Sequence, residues 1–249
     1  MKAFQRLRRP ILCTLTAYSL HRRTLCTARP TSQLAPCGAT YPANNPIEDR
    51  YVVFSDPERT LRLAAVLDGH GGWQVADYVS KNLMNALTAR KCLDMNAEDE
   101  RDTTMKLRAV YNDLEEAYIS SVRSAYKLGY GNVASVGACT LVAIVKDSNL
   151  VVANAGDCRC ILGKQAASGF EAVRITTDHN CRYPSEQEKL RRAHPGEDDI
   201  VLCHANDPTA CYVKGKLQLT RAIGDLYLKH HEFNAPSGLD RSAGRHIRQ

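Results

Sequence analysis

The sequence lacks any uninterrupted apolar run of the roughly 20 residues that a membrane-spanning helix needs. It also lacks a CxxC pair, or a histidine pair at matching spacing, to complement Cys158 and Cys160, so the pattern typical of a zinc site is absent. We therefore expect no membrane span. The ten cysteines are interpreted as reduced, mostly buried thiols.

A basic excess is missing from the body of the chain, although the formal net charge is +6. Seven of the 33 Lys and Arg residues lie before Glu48, which leaves 26 basic residues against 27 acidic ones in the remainder. A surface without surplus positive charge cannot hold a phosphate backbone non-specifically. Nucleic acid is therefore not an expected partner.

The first 47 residues contain no Asp or Glu at all. An arginine-rich, acid-free leader with Ser and Thr is typical of a mitochondrial transit peptide. The short apolar run ILCTLTAYSL is the competing signal, because it resembles the core of a secretory signal peptide. Arginines on both sides of this run favour the mitochondrion. We predict a leader and linker over 1–40 and localisation in the mitochondrial matrix.

Short apolar runs and two long amphipathic segments dominate the rest of the chain. RYVVF and LRLAAVL predict paired strands, followed by helices at about 73–90 and 104–128. Further strands are predicted, in chain order, at ACTLVAIV, LVVANAG, CRCILG, FEAVRIT, DIVLC, ACYV and KLQLTRA. The short connections between the first four of these runs are typical of hairpins, and SEQEKLRRA predicts a surface helix with Ser185 as its N-cap. The predicted fold class is α+β, an antiparallel β-sandwich flanked by helices.

The stretch AAVLDGHGGWQVADYV places Asp68, Gly69 and His70 where a buried strand is expected to end and a helix to begin. Glycines at such a turn permit positive φ and let a ligand approach the backbone closely. A carboxylate beside a bare carbonyl suits a hard cation such as Mg²⁺ or Mn²⁺. The alternative is a glycine-rich turn with a capping aspartate.

Acidic residues lie beside the ends of four apolar runs: Glu48 with Asp49, then Asp68, Asp157 and Asp225. Asp157 is interpreted as a hairpin turn residue. The other three groups would repel one another at one end of a sandwich unless a divalent cation lay among them. Such a cation lowers the pKa of a bound water, and a histidine beside it could protonate a leaving oxygen.

Six motifs, in this order, resemble those of the metal-dependent protein serine/threonine phosphatases, the PPM or type 2C family: EDR, VLDGHGGW, GACTLVAI, VANAGDCRC, TTDHN and LTRAIGD. The resemblance runs from about Asn44 to Phe233. It implies two Mg²⁺ or Mn²⁺ ions at one end of the sandwich. It also implies hydrolysis of phosphoserine or phosphothreonine in a phosphoprotein by a water that bridges the metals.

The resemblance also implies roles for individual residues. Asp68 corresponds to the acid that bridges both metals, Gly69 to a carbonyl ligand, and Glu48 to the acid of the second metal's shell. His70 corresponds to the general acid, and Asp49 to a supporting neighbour of Glu48. The remaining implied metal ligand is Asp225.

The run PANNPIEDR, with Asn44 where most members of the family have Arg, resembles the pyruvate dehydrogenase phosphatases. Pyruvate dehydrogenase is therefore the expected phosphoprotein partner. The family's later DG(L/I)WD motif and Asp-Asn pair are absent, so we expect an incomplete phosphatase domain over 41–234 and a tail over 235–249. A catalytically impaired phosphoprotein-binding protein is one alternative, and an unrelated metal hydrolase of small phosphate esters is another.

Overall fold

The computed structural model describes residues 12–15, 35–94, 100–146, 149–166 and 169–234. The predicted tail lies outside these residues, as does most of the predicted leader. Over the described parts of the chain, every helix is too short or too polar to cross a membrane.

Ten strands and four α-helices make up the described fold. The strands are β1 Leu12–Leu15, β2 Arg50–Asp56, β3 Leu61–His70, β4 Gly137–Lys146, β5 Asn149–Ala155, β6 Cys160–Ala166, β7 Gly169–Arg174, β8 Val201–His204, β9 Asp207–Val213 and β10 Ile223–Gly224. The helices are α1 Gln74–Ala89, α2 Glu100–Lys127, α3 Pro184–Ala193 and α4 Leu226–Lys229.

The strands form three antiparallel sheets. In the larger sheet β2, β3 and β4 are neighbours in that order, and β5 and β10 also pair with β4. The smaller sheet has the order β1-β6-β7, and β8 pairs with β9 as a separate hairpin. Adjacent strands of one sheet thus come from distant parts of the chain, which brings the ends of β3, β4 and β10 together.

Strand β4 explains why the chain forms a layered α+β structure. Its side chains alternate between two cores, because successive residues of a strand point to opposite faces. Ala138, Val142 and Ile144 pack with α1 and α2, whereas Cys139 and Leu141 pack towards the smaller sheet. The predicted sandwich flanked by helices is confirmed.

Two predicted turns differ from the structure. Strand β3 continues through Asp68 and Gly69 to His70, because β4 pairs with it as far as Gly137. The turn into α1 therefore begins at Gly71, whose φ is +69°. The second error concerns Asp157: β5 pairs with β4 whereas β6 pairs with β1 and β7, so the chain crosses here from one sheet to the other.

Three local predictions are also wrong. Helix α3 begins at Pro184 after Tyr183, so Ser185 lies inside the helix and does not cap it. The KLQLTRA run forms isolated bridges in place of a continuous strand, and regular pairing resumes only at β10. Cys203 and Cys211 face each other across the β8–β9 hairpin and form a disulfide, so these two thiols are not reduced.

Tyr111 provides a test of how α2 is fixed to the larger sheet. Its hydroxyl lies 3.1 Å from the carbonyl oxygens of both Thr140 and Ala153 and donates a hydrogen bond in a buried position. We expect Tyr111→Phe to lower the free energy of unfolding by about 1–2 kcal/mol, measured by urea denaturation. Tyr130→Phe, at an exposed tyrosine, is the matched control and should change it little. Equal stabilities of the two variants would contradict this role.

Candidate active site

Asp68 lies near the end of β3, on the face that is turned towards the smaller sheet, and its register partner on β4 is Cys139. The side chain reaches solvent on one side. The protein around its carboxylate and the neighbouring acids Asp49, Asp157 and Glu48 nevertheless raise the pKa of Asp68 to about 6, against a smaller lowering by His70. The acids therefore lie near enough to one another for their charges to interact.

Arg50 holds the segment that carries Glu48 and Asp49. Its guanidinium donates to the carbonyl oxygens of Ile47 at 3.0 Å and Asp49 at 2.9 Å, and its Nε donates to Asp77 on α1 at 3.2 Å. The Arg50 guanidinium thus ties the segment before β2 to the start of α1.

Gly69 lets this segment approach β3. A β-carbon at this position would collide with the carbonyl oxygen of Glu48. The Glu48 carboxylate accepts a hydrogen bond from Asn44 Nδ2 at 3.0 Å. Partial burial and the charge of Glu48 raise the pKa of Asp49, and Arg50 opposes this effect. The two acids are therefore placed beside Asp68 by close backbone packing.

His70 and Asp225 form the second part of the site. His70 Nε2 lies 2.8 Å from Asp225 Oδ2, and the Asp225 side chain is only 3% exposed. Burial by itself lowers the pKa of His70, but the hydrogen bond and charge of Asp225, together with Cys139, outweigh it and raise that pKa to about 10. The buried Asp225 carboxylate therefore favours the protonated form of His70.

The backbone brings these two residues together across 155 positions of sequence. Asp225 has a left-handed conformation with φ of 52°, and its N–H donates to the carbonyl oxygen of Val136 at 2.9 Å. A β-carbon at Gly137 would overlap both His70 Nε2 and the Asp225 carboxylate. The absence of a side chain at Gly137 creates the space for this ion pair.

Asp157 is the member of the acid group that the sequence interpretation missed. It lies in the crossover between β5 and β6, half-buried, and its charge is the second-largest of the neighbouring charges that raise the pKa of Asp68. The Gly-Asp pair between two apolar runs looked like a hairpin turn. The sequence does carry a signal, because Asp157 lies beside the end of an apolar run as Asp68 does, but this position alone does not distinguish a site residue from a turn residue.

The donor set can be compared with what a metal ion requires. Glu48, Asp49, Asp68 and Asp157 supply carboxylate oxygens, which hard divalent cations prefer, and Asp225 Oδ1 is buried without a hydrogen-bond partner. Within the described ranges, however, no three His, Cys, Asp or Glu side chains converge as a ligand group. The carboxylate oxygens are of the kind that Mg²⁺ or Mn²⁺ prefers. The side chains that carry them lie around the end of β3 and do not converge on one point.

The model of the family described as "Protein phosphatase 2C" matches residues 44–243. Probable protein phosphatase 2C 72 of Oryza sativa subsp. japonica is 34% identical over 208 residues, which cover 79% of this chain and 50% of the relative. Probable protein phosphatase 2C 79 of Arabidopsis thaliana is 33% identical over 205 residues, covering 79% of this chain and 51% of the relative. The chain thus spans about half the length of the curated relatives it matches.

Solved structures share the fold at lower identity. A C. elegans sex determining protein aligns with a TM-score of 0.54 and 20% identity, covering 76% of this chain and 43% of that protein. A serine-threonine phosphatase 2C from Toxoplasma gondii aligns with a TM-score of 0.51 and 19% identity, covering 73% and 64% of the two chains.

Asp178 anchors the segment that follows β7 and is buried, with 2% of its side chain exposed. Burial raises its pKa, but hydrogen bonds from Arg159, Arg174 and Tyr183 together outweigh this and lower the pKa below its usual value. A lowered carboxyl pKa stabilises the folded chain above the unfolded value of 3.8, and this contribution is lost as pH falls through the folded value.

We therefore expect Asp178→Asn to lower the free energy of unfolding by about 1–3 kcal/mol near neutral pH, and the deficit to shrink once the pH falls below about 4. Urea denaturation at several pH values measures both effects. Asp113→Asn, which removes a surface ion pair with Arg90, is the control and should cost about 0.5 kcal/mol or less. A deficit of Asp178→Asn that stays constant with pH would refute this assignment.

Proposed function

Because the chain belongs to the protein phosphatase 2C family, we propose that it is a metal-dependent phosphatase that hydrolyses phosphoserine or phosphothreonine in proteins. The observation that carries this proposal is the placement of Asp68 beside the segment of Glu48 and Asp49 and beside the Cys139–Asp157 contact, with the pair of His70 and Asp225 next to them. Clustered carboxylates repel one another, and a divalent cation is the partner that would offset their charge.

The residues that would hold the cations are Asp68, Glu48 and Asp225, with the carbonyl oxygen of Gly69. When bound, Mg²⁺ or Mn²⁺ supplies a water of lowered pKa and offsets the charge of the phosphoryl group. Asp49 follows Glu48 directly and would add a second negative charge beside the cations. Arg50 keeps both acids in place through its bonds to Ile47 and Asp77.

His70 would act on the leaving group. Asp225 keeps the imidazolium protonated, so a proton is available on the ring when the bond to the serine or threonine oxygen breaks. A serine alkoxide is a far stronger base than imidazole, so this transfer is favourable even from a histidine of raised pKa. The ion pair also fixes the orientation of the ring at the end of β3.

The finer proposal is that the substrate is pyruvate dehydrogenase in the mitochondrial matrix. The run PANNPIEDR and the acid-free, arginine-rich leader support it. Faster phosphate release from phosphorylated pyruvate dehydrogenase than from an unrelated phosphoprotein is the expected result, and equal rates would contradict it.

A second candidate function is binding of phosphoproteins without turnover. The specific observation that favours it is the spread of the acids: no metal-binding group of three such side chains is formed in the part of the chain that the structure describes. A binder on this scaffold would retain the ion pairs of the fold and recognise the phosphate without releasing it.

The decisive measurement is phosphate release from a phosphoserine peptide as a function of Mn²⁺ concentration. We expect metal-dependent turnover, and a fall of about 100-fold or more in Asp68→Asn, because this change removes a central charge of the acid group. Asp113→Asn removes an exposed acid on α2 and should retain the wild-type rate.

The other outcomes separate the alternatives. Peptide binding without turnover by the folded chain would support the non-catalytic binder. Hydrolysis of small phosphate esters without any preference for the phosphopeptide would indicate a different hydrolase. Turnover that persists in Asp68→Asn would refute the assigned site.

A further inference from the structure

Both carboxylate oxygens of Asp157 accept hydrogen bonds from different elements of the fold. Asn180 Nδ2 donates to Oδ2 at 3.1 Å, and the Cys139 thiol donates to Oδ1 at 3.4 Å. One donor lies in the segment before α3 and the other on β4. The carboxylate is therefore fixed in position and rotation, which a solvated turn acid would not be.

The backbone that carries Asp157 is held equally closely. His179 N–H donates to the carbonyl oxygen of Gly156 at 3.0 Å, and Gly156 N–H donates to His179 Nδ1 at 3.3 Å. Gly156 has φ of +112°, and a β-carbon there would overlap the Cys139 side chain. The crossover is thus pressed against β4 at the point where Cys139 meets Asp157.

The two donors are themselves oriented by further contacts. Asn180 is 6% exposed, and its Oδ1 accepts a hydrogen bond from the N–H of Arg182 at 3.0 Å, which leaves its NH₂ group for Asp157. Cys139 is 2% exposed and packs in the core between the two sheets, and its thiol is the donor that reaches Oδ1 of Asp157.

These contacts hold Asp157 in place against its electrostatic repulsion by Asp68. Asp157 lies close to Asp68, because Cys139, the register partner of Asp68 on β4, contacts the Asp157 carboxylate, so an unrestrained Asp157 side chain would gain by rotating away towards water. Asn180 uses a buried amide for this contact, and Cys139, which also packs in the core between the two sheets, directs its thiol at the same carboxylate. Holding two like charges together is useful where a cation is to be bound by them.

We propose that Asn180 and Cys139 are positioning residues that hold the Asp157 carboxylate against Asp68 for a divalent cation. This inference rests on the proposed function, since it assumes that the acid group binds metal. Groups that orient ligands typically change metal affinity by about 10- to 100-fold when they are removed.

The test is the dissociation constant for Mn²⁺ of the full chain, measured by isothermal titration calorimetry without any substrate. We expect Asn180→Ala to weaken Mn²⁺ binding by about 10-fold. Cys139→Ala should also weaken it, whereas Cys139→Ser keeps a donor at the same position and should restore most of the affinity. Rescue by serine would not be expected if Cys139 served only to fill space.

Gln187→Ala is the matched control. Gln187 is a buried amide in α3, 8% exposed, whose Nε2 donates to the carbonyl oxygen of Cys181 at 2.7 Å. Its loss should lower the melting temperature without changing Mn²⁺ affinity. A similar melting temperature for Asn180→Ala and Gln187→Ala, with weaker binding in the first alone, separates positioning from general destabilisation.

The results distinguish the failure of this inference from the failure of the proposed function on which it rests. A wild-type chain that binds no Mn²⁺ overturns both. Tight Mn²⁺ binding by wild type, with unchanged affinity in Asn180→Ala and in Cys139→Ala, overturns only the positioning role. If Asn180→Ala fails to fold, the comparison of Cys139→Ala with Cys139→Ser decides the question.

Discussion

The mutual repulsion of Glu48, Asp49, Asp68 and Asp157 is the constraint on which the rest of this site depends. Isolated acids at strand ends would turn towards water, yet here backbone packing at Gly69 and the Cys139 contact hold them close enough to raise the pKa of Asp68 to about 6. Each is tied to a different element: Glu48 and Asp49 by the brace from Arg50, Asp68 by the pairing of β3 with β4, and Asp157 by the crossover. The stability of the surrounding sandwich offsets the cost of this proximity.

Close backbone approach is what makes the site possible, and three glycines mark where it occurs. Gly69 admits the carbonyl of Glu48, Gly137 admits the pair of His70 and Asp225, and Gly156 admits the Cys139 side chain. In each case a β-carbon would collide with atoms of the site and not with flexible surface groups. Substitution at these positions would therefore displace the acids themselves, even where the strands around them remained paired.

The spacing of apolar residues predicted the helical and sheet layers well, because burial of one face of a helix or strand imposes that spacing. The stripe of Val75, Val79, Leu83 and Leu87 packs into the helical core, and the apolar run of β4 is buried on both faces. The crossover at Gly156 and Asp157 could not be predicted in the same way. A short connection has the same sequence pattern when the next strand pairs with the previous one as when it joins another sheet. The extension of β3 to His70 likewise depends on β4, and the Cys203–Cys211 bond depends on the register of a hairpin. Such features are set by tertiary partners and leave no local pattern.

The site divides into two parts of opposite character that share one neighbour. The acid group around Asp68 holds negative charge, whereas His70 holds a proton that the buried Asp225 keeps in place. Strand β4 touches both parts near Cys139, whose thiol donates to Asp157, because Gly137, two residues earlier, pairs with His70. A change in the position of β4 at this residue would therefore shift the acids and the proton donor together. This shared contact gives a physical reason why the spacing between the acid group and the pair of His70 and Asp225 is set by one strand of the sandwich.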